Sequence, residues 1–146
     1  MSDSIYSKVL VALQFILIAL LLLINDSIFN HLISLFISAT GFLFGLYTLY
    51  FNRIGNFNIT PEIKENSKLI KNGAYKYIRH PMYFSVFLMM AGVVLTENNV
   101  VNIFCYMALV VVLYLKAKKE EKLWSEKLEE YKQYKKHTKM FIPFVL

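Results

Sequence analysis

Arg79, His80, Pro81 and Tyr83 stand together in the run YKYIRHPMYF, Tyr75–Phe84, where a basic loop meets an apolar segment. Pro81 suits the first turn of a helix, because its missing N–H would be unpaired there and its φ is already near the helical value. A helix is therefore expected to begin at His80-Pro81. Its free N–H groups and positive dipole end, with Arg79 and His80 as added donors, can hold an anionic group. From His80 the helical neighbours are Tyr83, Phe84 and Phe87, an aromatic face beneath the polar one. Such a place suits a ligand with a charged end and a flat or cationic middle. The plainer reading is an interface anchor, with Arg79 snorkelling and the tyrosines in an aromatic belt.

A second constellation lies downstream. At about 100° per residue, Leu113, Ala117, Trp124, Leu128 and Tyr131 fall on one helical stripe with Glu120 at its centre, Glu121 at its edge and Lys118, Lys119 and Lys122 on flanking or opposite faces. A carboxylate is thus placed on the apolar side. The plain account is a surface pair with Lys116 one turn earlier. The sharper account is a half-buried Glu120 at the membrane edge, near the start of the third helix, facing a cationic or hydroxyl-bearing ligand, since burial without such a partner is costly.

The elements that must position these residues are membrane helices. The chain of 146 residues is 57% hydrophobic, with a mean hydropathy of +0.46 and a net charge of +6, too apolar for an ordinary soluble domain. Four apolar runs stand out: Val9 to Ile24, Ile28 to Phe51, Met82 to Thr96 and Val100 to Leu115. The last two reach roughly 24 Å each at 1.5 Å per residue, short of a ~30 Å hydrocarbon core, and are expected to form a helical hairpin that either barely spans the bilayer or dips in and returns. The fold expected is all-α and integral to the membrane: four transmembrane or membrane-embedded helices, a cytoplasmic loop and an amphipathic C-terminal helix. Residues 1–146 form one domain, with two transmembrane helices in 1–51 and the loop, hairpin and C-terminal helix in 52–146. The first run is longer than a secretory h-region and lacks a small-residue cleavage site, so it reads as a retained anchor.

Charge sets the expected orientation. Arg53, Lys64, Lys68, Lys71, Lys76 and Arg79 occupy the middle loop and nine lysines follow Leu115, whereas the other connections hold Asp26, His31 and Glu97 with no Lys or Arg. The positive-inside rule puts both termini and the middle loop in the cytoplasm. The basic surplus is then a topology signal and a contact for anionic membrane lipids, with no nucleic-acid partner implied. The single cysteine, Cys105, forms no internal disulfide, and no cysteine cluster offers a metal site. Gly41 and Gly45 give a small-xxx-small spacing suited to close helix packing, from which no oligomer is assigned.

The run LIKNGAYKYIRHPMYF, followed after a short hairpin by EEKLWSEKLEEYKQYKKHTKMFIP, resembles the membrane-embedded methyltransferases that include isoprenylcysteine carboxyl methyltransferases and phospholipid N-methyltransferases. The likeness covers roughly Phe57 to Pro143. It implies an S-adenosyl-L-methionine site built from the cytoplasmic loop and the hairpin, with a lipidic substrate entering from the bilayer. Leu69, Ile70, Tyr75, His80, Pro81 and Tyr83 would bind the cofactor, and Glu120, Glu121, Lys116 and Arg79 would serve the reacting centre. Lys116 occupies a substrate-holding position where arginine is usual, and lysine does not grip a carboxylate bidentately. Two further departures are Ser85 where glycine is common and Leu128-Glu129-Glu130-Tyr131 in place of Phe-Gly-x-Glu-Tyr.

The resemblance points first to carboxyl O-methylation of an isoprenylcysteine-like group, with phospholipid amine N-methylation as the alternative. Methyl transfer from a sulfonium needs alignment and exclusion of water more than acid or base groups. An amine acceptor must lose a proton, which Glu120 can take, and Tyr75, Tyr83 and Trp124 offer aromatic faces to the sulfonium. Two rivals use the same residues differently: an NADPH-dependent membrane reductase of related fold, whose Arg-His-Pro is usually followed by Asn-Tyr where this chain has Met82, and a non-catalytic scaffold that binds anionic lipid.

Overall fold

The structure is a computed structural model and describes residues 3–25, 28–52, 56, 58–63, 67–97 and 99–143. Asp26, Arg53 and Lys64, which enter the charge argument above, lie outside the described residues. Five α-helices follow in order: α1 Asp3–Ile24, α2 Leu32–Asn52, α3 Pro81–Val94, α4 Val100–Lys127 and α5 Glu129–His137. No strand is formed among the described residues, apart from one isolated parallel bridge between Ile78 and Lys139. Helices α1, α2 and α4 are each long and apolar enough to cross a membrane, while the 14 residues of α3 are not. At 1.5 Å per residue α3 spans about 21 Å and α4 about 42 Å. The fourth run therefore does not end at Leu115 but carries its helix a further three turns or so out of the apolar zone.

The bundle is held in two pairs. Helix α2 lies against α3 with almost no side chain between them: a Cβ at Gly41 would stand 2.4 Å from the Met89 backbone nitrogen, and one at Gly92 2.3 Å from Ser38 Oγ. Ser38 Oγ uses this closeness to donate to the Met89 carbonyl at 2.8 Å. The small-residue spacing in α2 thus serves packing within the chain. Helix α1 packs along α4, and Leu21, Met90, Val93, Leu109 and Leu113 form the buried apolar centre between α1, α3 and α4.

A polar clasp closes the end of the bundle opposite α5. The amides of Asn25 and Asn102 exchange hydrogen bonds at 3.1 and 2.8 Å, and Thr96 Oγ1 donates to Asn25 Oδ1 at 3.1 Å. All three side chains are buried, and each also donates to a backbone carbonyl, Asn25 to Leu21, Thr96 to Val93 and Asn102 to Glu97, so their polar groups are satisfied within the protein. Asn99 caps α4 by accepting from the Asn102 N–H at 2.8 Å.

At the other end the helix breaks. Leu128 is extended (φ −134°, ψ 118°), which ends α4 and begins α5, so the stripe expected to run unbroken from Leu113 to Tyr131 is split there between two helices. Glu129 and Glu130 in the first turn of α5 and Lys135, Lys136 and His137 in the last agree with the helix dipole. The turn folds α5 back, burying Tyr131 and Tyr134.

Candidate active site

Pro81 opens α3 at its first position and His80 caps it, the His80 carbonyl accepting from the N–H groups of Tyr83 and Phe84 at 3.1 Å each. The expected helix start is therefore where it occurs. Upstream, Gly73 takes a φ of +60°, the left-handed region that glycine favours, and opens a short 3-10 turn over Gly73–Lys76. That turn presents Tyr75, whose carbonyl accepts from Tyr134 Oη on α5 at 2.6 Å. Between α2 and this turn, Asn56 organises the loop: its amide donates to the Lys68 carbonyl at 3.0 Å and accepts from the Lys68 N–H at 2.8 Å.

These elements enclose one polar pocket. Its walls include Leu69, Ile70, Tyr75, Arg79, His80, Tyr83 and Glu120, together with Asn56, Asn58, Thr60, Lys68, Trp124, Tyr131 and Tyr134. Seven of the ten residues singled out in the sequence thus share a wall. Pro81, Glu121 and Lys116 are buried beside the pocket rather than lining it.

The two glutamates have separate surroundings. Tyr83 Oη donates to Glu120 Oε1, and His80 Nδ1 lies 3.5 Å from Glu120 Oε2. Glu120 keeps 21% of its side chain exposed, on the pocket side. Glu121 keeps 2% and sits in a cationic nest. Arg79 Nε donates to its Oε1 at 2.6 Å, Lys135 Nζ stands 2.8 Å from its Oε2 as an ion pair without hydrogen-bond alignment, and His80 Nε2 is 3.5 Å from Oε1. The Arg79 guanidinium also donates to the Thr138 and Lys135 carbonyls.

His80 is therefore held between two carboxylates, its ring stacked on Tyr83 with centroids 5.5 Å apart and planes 9° apart. Burial disfavours the imidazolium, but the side-chain contacts with Glu120 and Glu121, and after them the charges of the two carboxylates, outweigh it and hold the His80 pKa above its ordinary value. Burial keeps the phenols of Tyr75, Tyr131 and Tyr134 protonated well above the usual tyrosine range, with nearby carboxylates adding to the effect. The pocket accordingly offers the half-buried Glu120 carboxylate at its wall, with Glu62 on the loop side, several neutral hydroxyls and aromatic faces.

Lys116 has partners of its own. Its ammonium donates to Gln14 Oε1 of α1 and, at 3.0 Å, to the Ile59 carbonyl of the loop, and it lies 5.3 Å from the centre of the Tyr83 ring. At 1% exposure it ties α1, α4 and the loop together behind the pocket wall.

The sequence reading missed three contributors. Asn56 and Asn58 sit in an unremarkable polar stretch, and Lys135 entered only as one of the nine lysines after Leu115. The third is the segment after α5. Arg79 N–H donates to the Lys139 carbonyl at 2.8 Å, His80 N–H to the Met140 carbonyl at 3.0 Å, and Lys139 N–H to the Tyr77 carbonyl at 3.0 Å. Met140 and Phe141 are buried against Ala117, Tyr83 and Phe87. The resemblance run reached this segment, ending in KMFIP, but apart from the apolar Met140-Phe141 pair nothing in it marked a docking.

Compared with known proteins, no curated protein gives a significant match to the chain. The family model described as phospholipid methyltransferase matches residues 11–131, from α1 through Tyr131 of α5. That span holds the greater part of α1, the whole of α2, α3 and α4, the Arg79-His80-Pro81 threshold and both glutamates, and covers most of the chain. The chain belongs to the phospholipid methyltransferase family, and with it to the integral membrane methyltransferases that act on lipid.

Proposed function

We propose that the chain transfers a methyl group from S-adenosyl-L-methionine to the amine head group of a membrane lipid. The observation that carries this reading is the Glu120 carboxylate, bonded to Tyr83 and open to a pocket with aromatic walls. The residues fit the cofactor. Leu69, Ile70 and Tyr75 would hold its nucleoside, Lys68 and the amides of Asn56 and Asn58 its amino-acid end, and the faces of Tyr75, Tyr83 and Trp124 would attract its positive centre. When bound, S-adenosyl-L-methionine supplies an electrophilic methyl group on a sulfonium.

The chain's residues would do the rest. Glu120 attracts an ammonium head group and takes the proton that its nitrogen must lose before it becomes a nucleophile. Tyr83 fixes the carboxylate by its hydrogen bond, and the Lys116 ammonium behind the Tyr83 ring fixes the tyrosine. The loop held by Asn56 and the docked α5 exclude water from the reacting groups. A carboxylate acceptor is supported less by this wall. It would face Glu120, and the basic residues suited to hold it are engaged, Lys116 by Gln14 and Ile59 and Arg79 by Glu121.

Calorimetry of the nanodisc-embedded chain with S-adenosyl-L-methionine, followed by radiolabelled methyl transfer, tests the reading. Binding that is lost in His80→Ala, with label passing to phosphatidylethanolamine in preference to N-acetyl-farnesylcysteine, is the expected result. Label passing only to the prenylcysteine analogue restores the carboxyl acceptor. Binding of NADPH in place of S-adenosyl-L-methionine overturns methyl transfer altogether.

A further inference from the structure

A second cavity, of about 430 Å³, lies between α3 and α4 and is lined by Phe84, Phe87, Leu88, Ala91, Tyr106, Val110, Val111, Tyr114, Phe141 and Ile142. Its volume falls in the range of about 300–1,000 Å³ of small-molecule sites, and its wall is almost wholly apolar. The rim is open on the lipid side, where Val111 is 53% and Tyr114 41% exposed. The polar pocket and this groove use neighbouring residues of α3, with Met82 and Tyr83 on the first and Phe84 and Phe87 on the second.

One ring stands between them. Phe141 is 4% exposed, its centroid 5.8 Å from the His80 ring on the pocket side and 5.0 Å from Phe87 on the groove side, edge-on to the latter. It comes from neither helix of the groove. The segment that carries it is fixed by backbone hydrogen bonds from Arg79 and His80 to the carbonyls of Lys139 and Met140. A lipid whose head group reaches Glu120 while its chain lies in the groove must pass this ring.

We propose that Phe141 is a specificity-determining residue: its ring partitions the polar pocket from the groove that takes the acceptor's apolar chain, and so selects which lipid chains deliver a head group to Glu120. The proposal rests on the reading of the polar pocket as the methyl-transfer site. A ring held by the backbone of a docked segment touches His80 on the pocket side and Phe87 on the groove side. An effect passed through His80 scales every acceptor alike, whereas an effect on the groove side changes the ratio between acceptors, which is the measure of selection.

The test uses the full chain in phosphatidylcholine nanodiscs with radiolabelled S-adenosyl-L-methionine. Acceptors are phosphatidylethanolamines of graded acyl length and N-acetyl-farnesylcysteine. Phe141→Ala is expected to change the ratio of kcat/KM between the longest and shortest acceptors by about ten-fold, the scale on which apolar pockets discriminate, and Phe141→Trp to change it in the opposite sense. Calorimetric affinity for S-adenosyl-L-methionine, measured on each variant, separates any effect passed through His80, which is common to all acceptors, from the change in ratio. Phe141→Leu, which conserves apolar character, keeps the comparison open should the alanine variant fail to fold. Variants that scale every acceptor equally, or leave all ratios unmoved while the wild type turns over, overturn the assignment of Phe141 alone. A wild type that neither binds S-adenosyl-L-methionine nor labels any acceptor overturns the reading of the site beneath it.

Discussion

Two carboxylates one residue apart on α4 do different work because a helix turns about 100° between them. Glu120 faces the pocket beside Tyr83, and Glu121 faces Arg79 and Lys135 away from it. Glu120→Gln is expected to lower the methyl-transfer rate by about 10²–10⁴-fold, the range for a lost proton acceptor, with S-adenosyl-L-methionine affinity nearly kept. Glu121→Gln should instead lower stability, by about 3–5 kcal/mol for breaking a buried pair from one side, read as a drop in the midpoint of thermal unfolding. His80 adds a pH dependence. Its pKa is raised in the folded chain, so its stabilising contribution is complete below the unfolded value of about 6.5 and is lost as pH rises through the folded value. Melting midpoints measured across neutral to alkaline pH should therefore fall, and His80→Gln should flatten that fall. The threshold motif and the glutamate pair were legible in the sequence because Pro81 fixes a helix start and a carboxylate on an apolar stripe is conspicuous. Which glutamate faces the pocket was not legible, since a helical wheel fixes faces and not the partner that turns toward each. The engagement of Lys116 by Gln14, which is far away in sequence, was equally beyond its reach.

At the scale of elements, the position of α3 bears most on the proposed site, because α3 carries Tyr83 and Phe84 and is capped by His80 while being too short to span a membrane by itself. Its depth is set by α2. The absence of side chains at Gly41 and Gly92 lets the two backbones touch, and Ser38 locks the register by donating to Met89. The spacing of Gly41 and Gly45 was readable in advance, but its partner was not, because small residues permit close approach from any neighbour. A Cβ at Gly92 would meet the Ser34 carbonyl at 2.6 Å and the Ser38 nitrogen at 2.6 Å, backbone atoms that cannot swing aside. Gly92→Val is therefore expected to destabilise by about 1–3 kcal/mol or more, the usual cost of overpacking. Because the strain moves α3, S-adenosyl-L-methionine affinity should fall with it, whereas Gly45→Ala, whose new Cβ would meet only the Ser85 side chain at 3.1 Å, should be mild in both measurements.

At the scale of the molecule, the two ends of the bundle are built on opposite principles. One end is closed by neutral amides and a hydroxyl, Asn25, Asn102 and Thr96, which satisfy one another without charge. The other carries α5, the ion cluster of Arg79, Glu121 and Lys135, and the cavity where polar and apolar walls meet. In the proposed reaction a water-soluble cofactor and a lipid acceptor would meet at an interface, and α4 runs on past its apolar stretch far enough to carry Glu120. The crossing helices were plain from hydropathy alone. The folding back of α5 and of the segment after it was not, because it rests on a break at Leu128 and on backbone hydrogen bonds that no side-chain pattern announces. From the distribution of lysine and arginine, the positive-inside rule leads us to propose that the α5 end is the cytoplasmic one. In a Cys105→Ser background, His31→Cys and Lys136→Cys lie at exposed positions on opposite ends. A membrane-impermeant maleimide should label the first in intact cells and the second only after the membrane is opened. Labelling of both in intact cells would place α5 outside, cut the pocket off from a cytoplasmic supply of S-adenosyl-L-methionine, and remove the reason for building the site at that end.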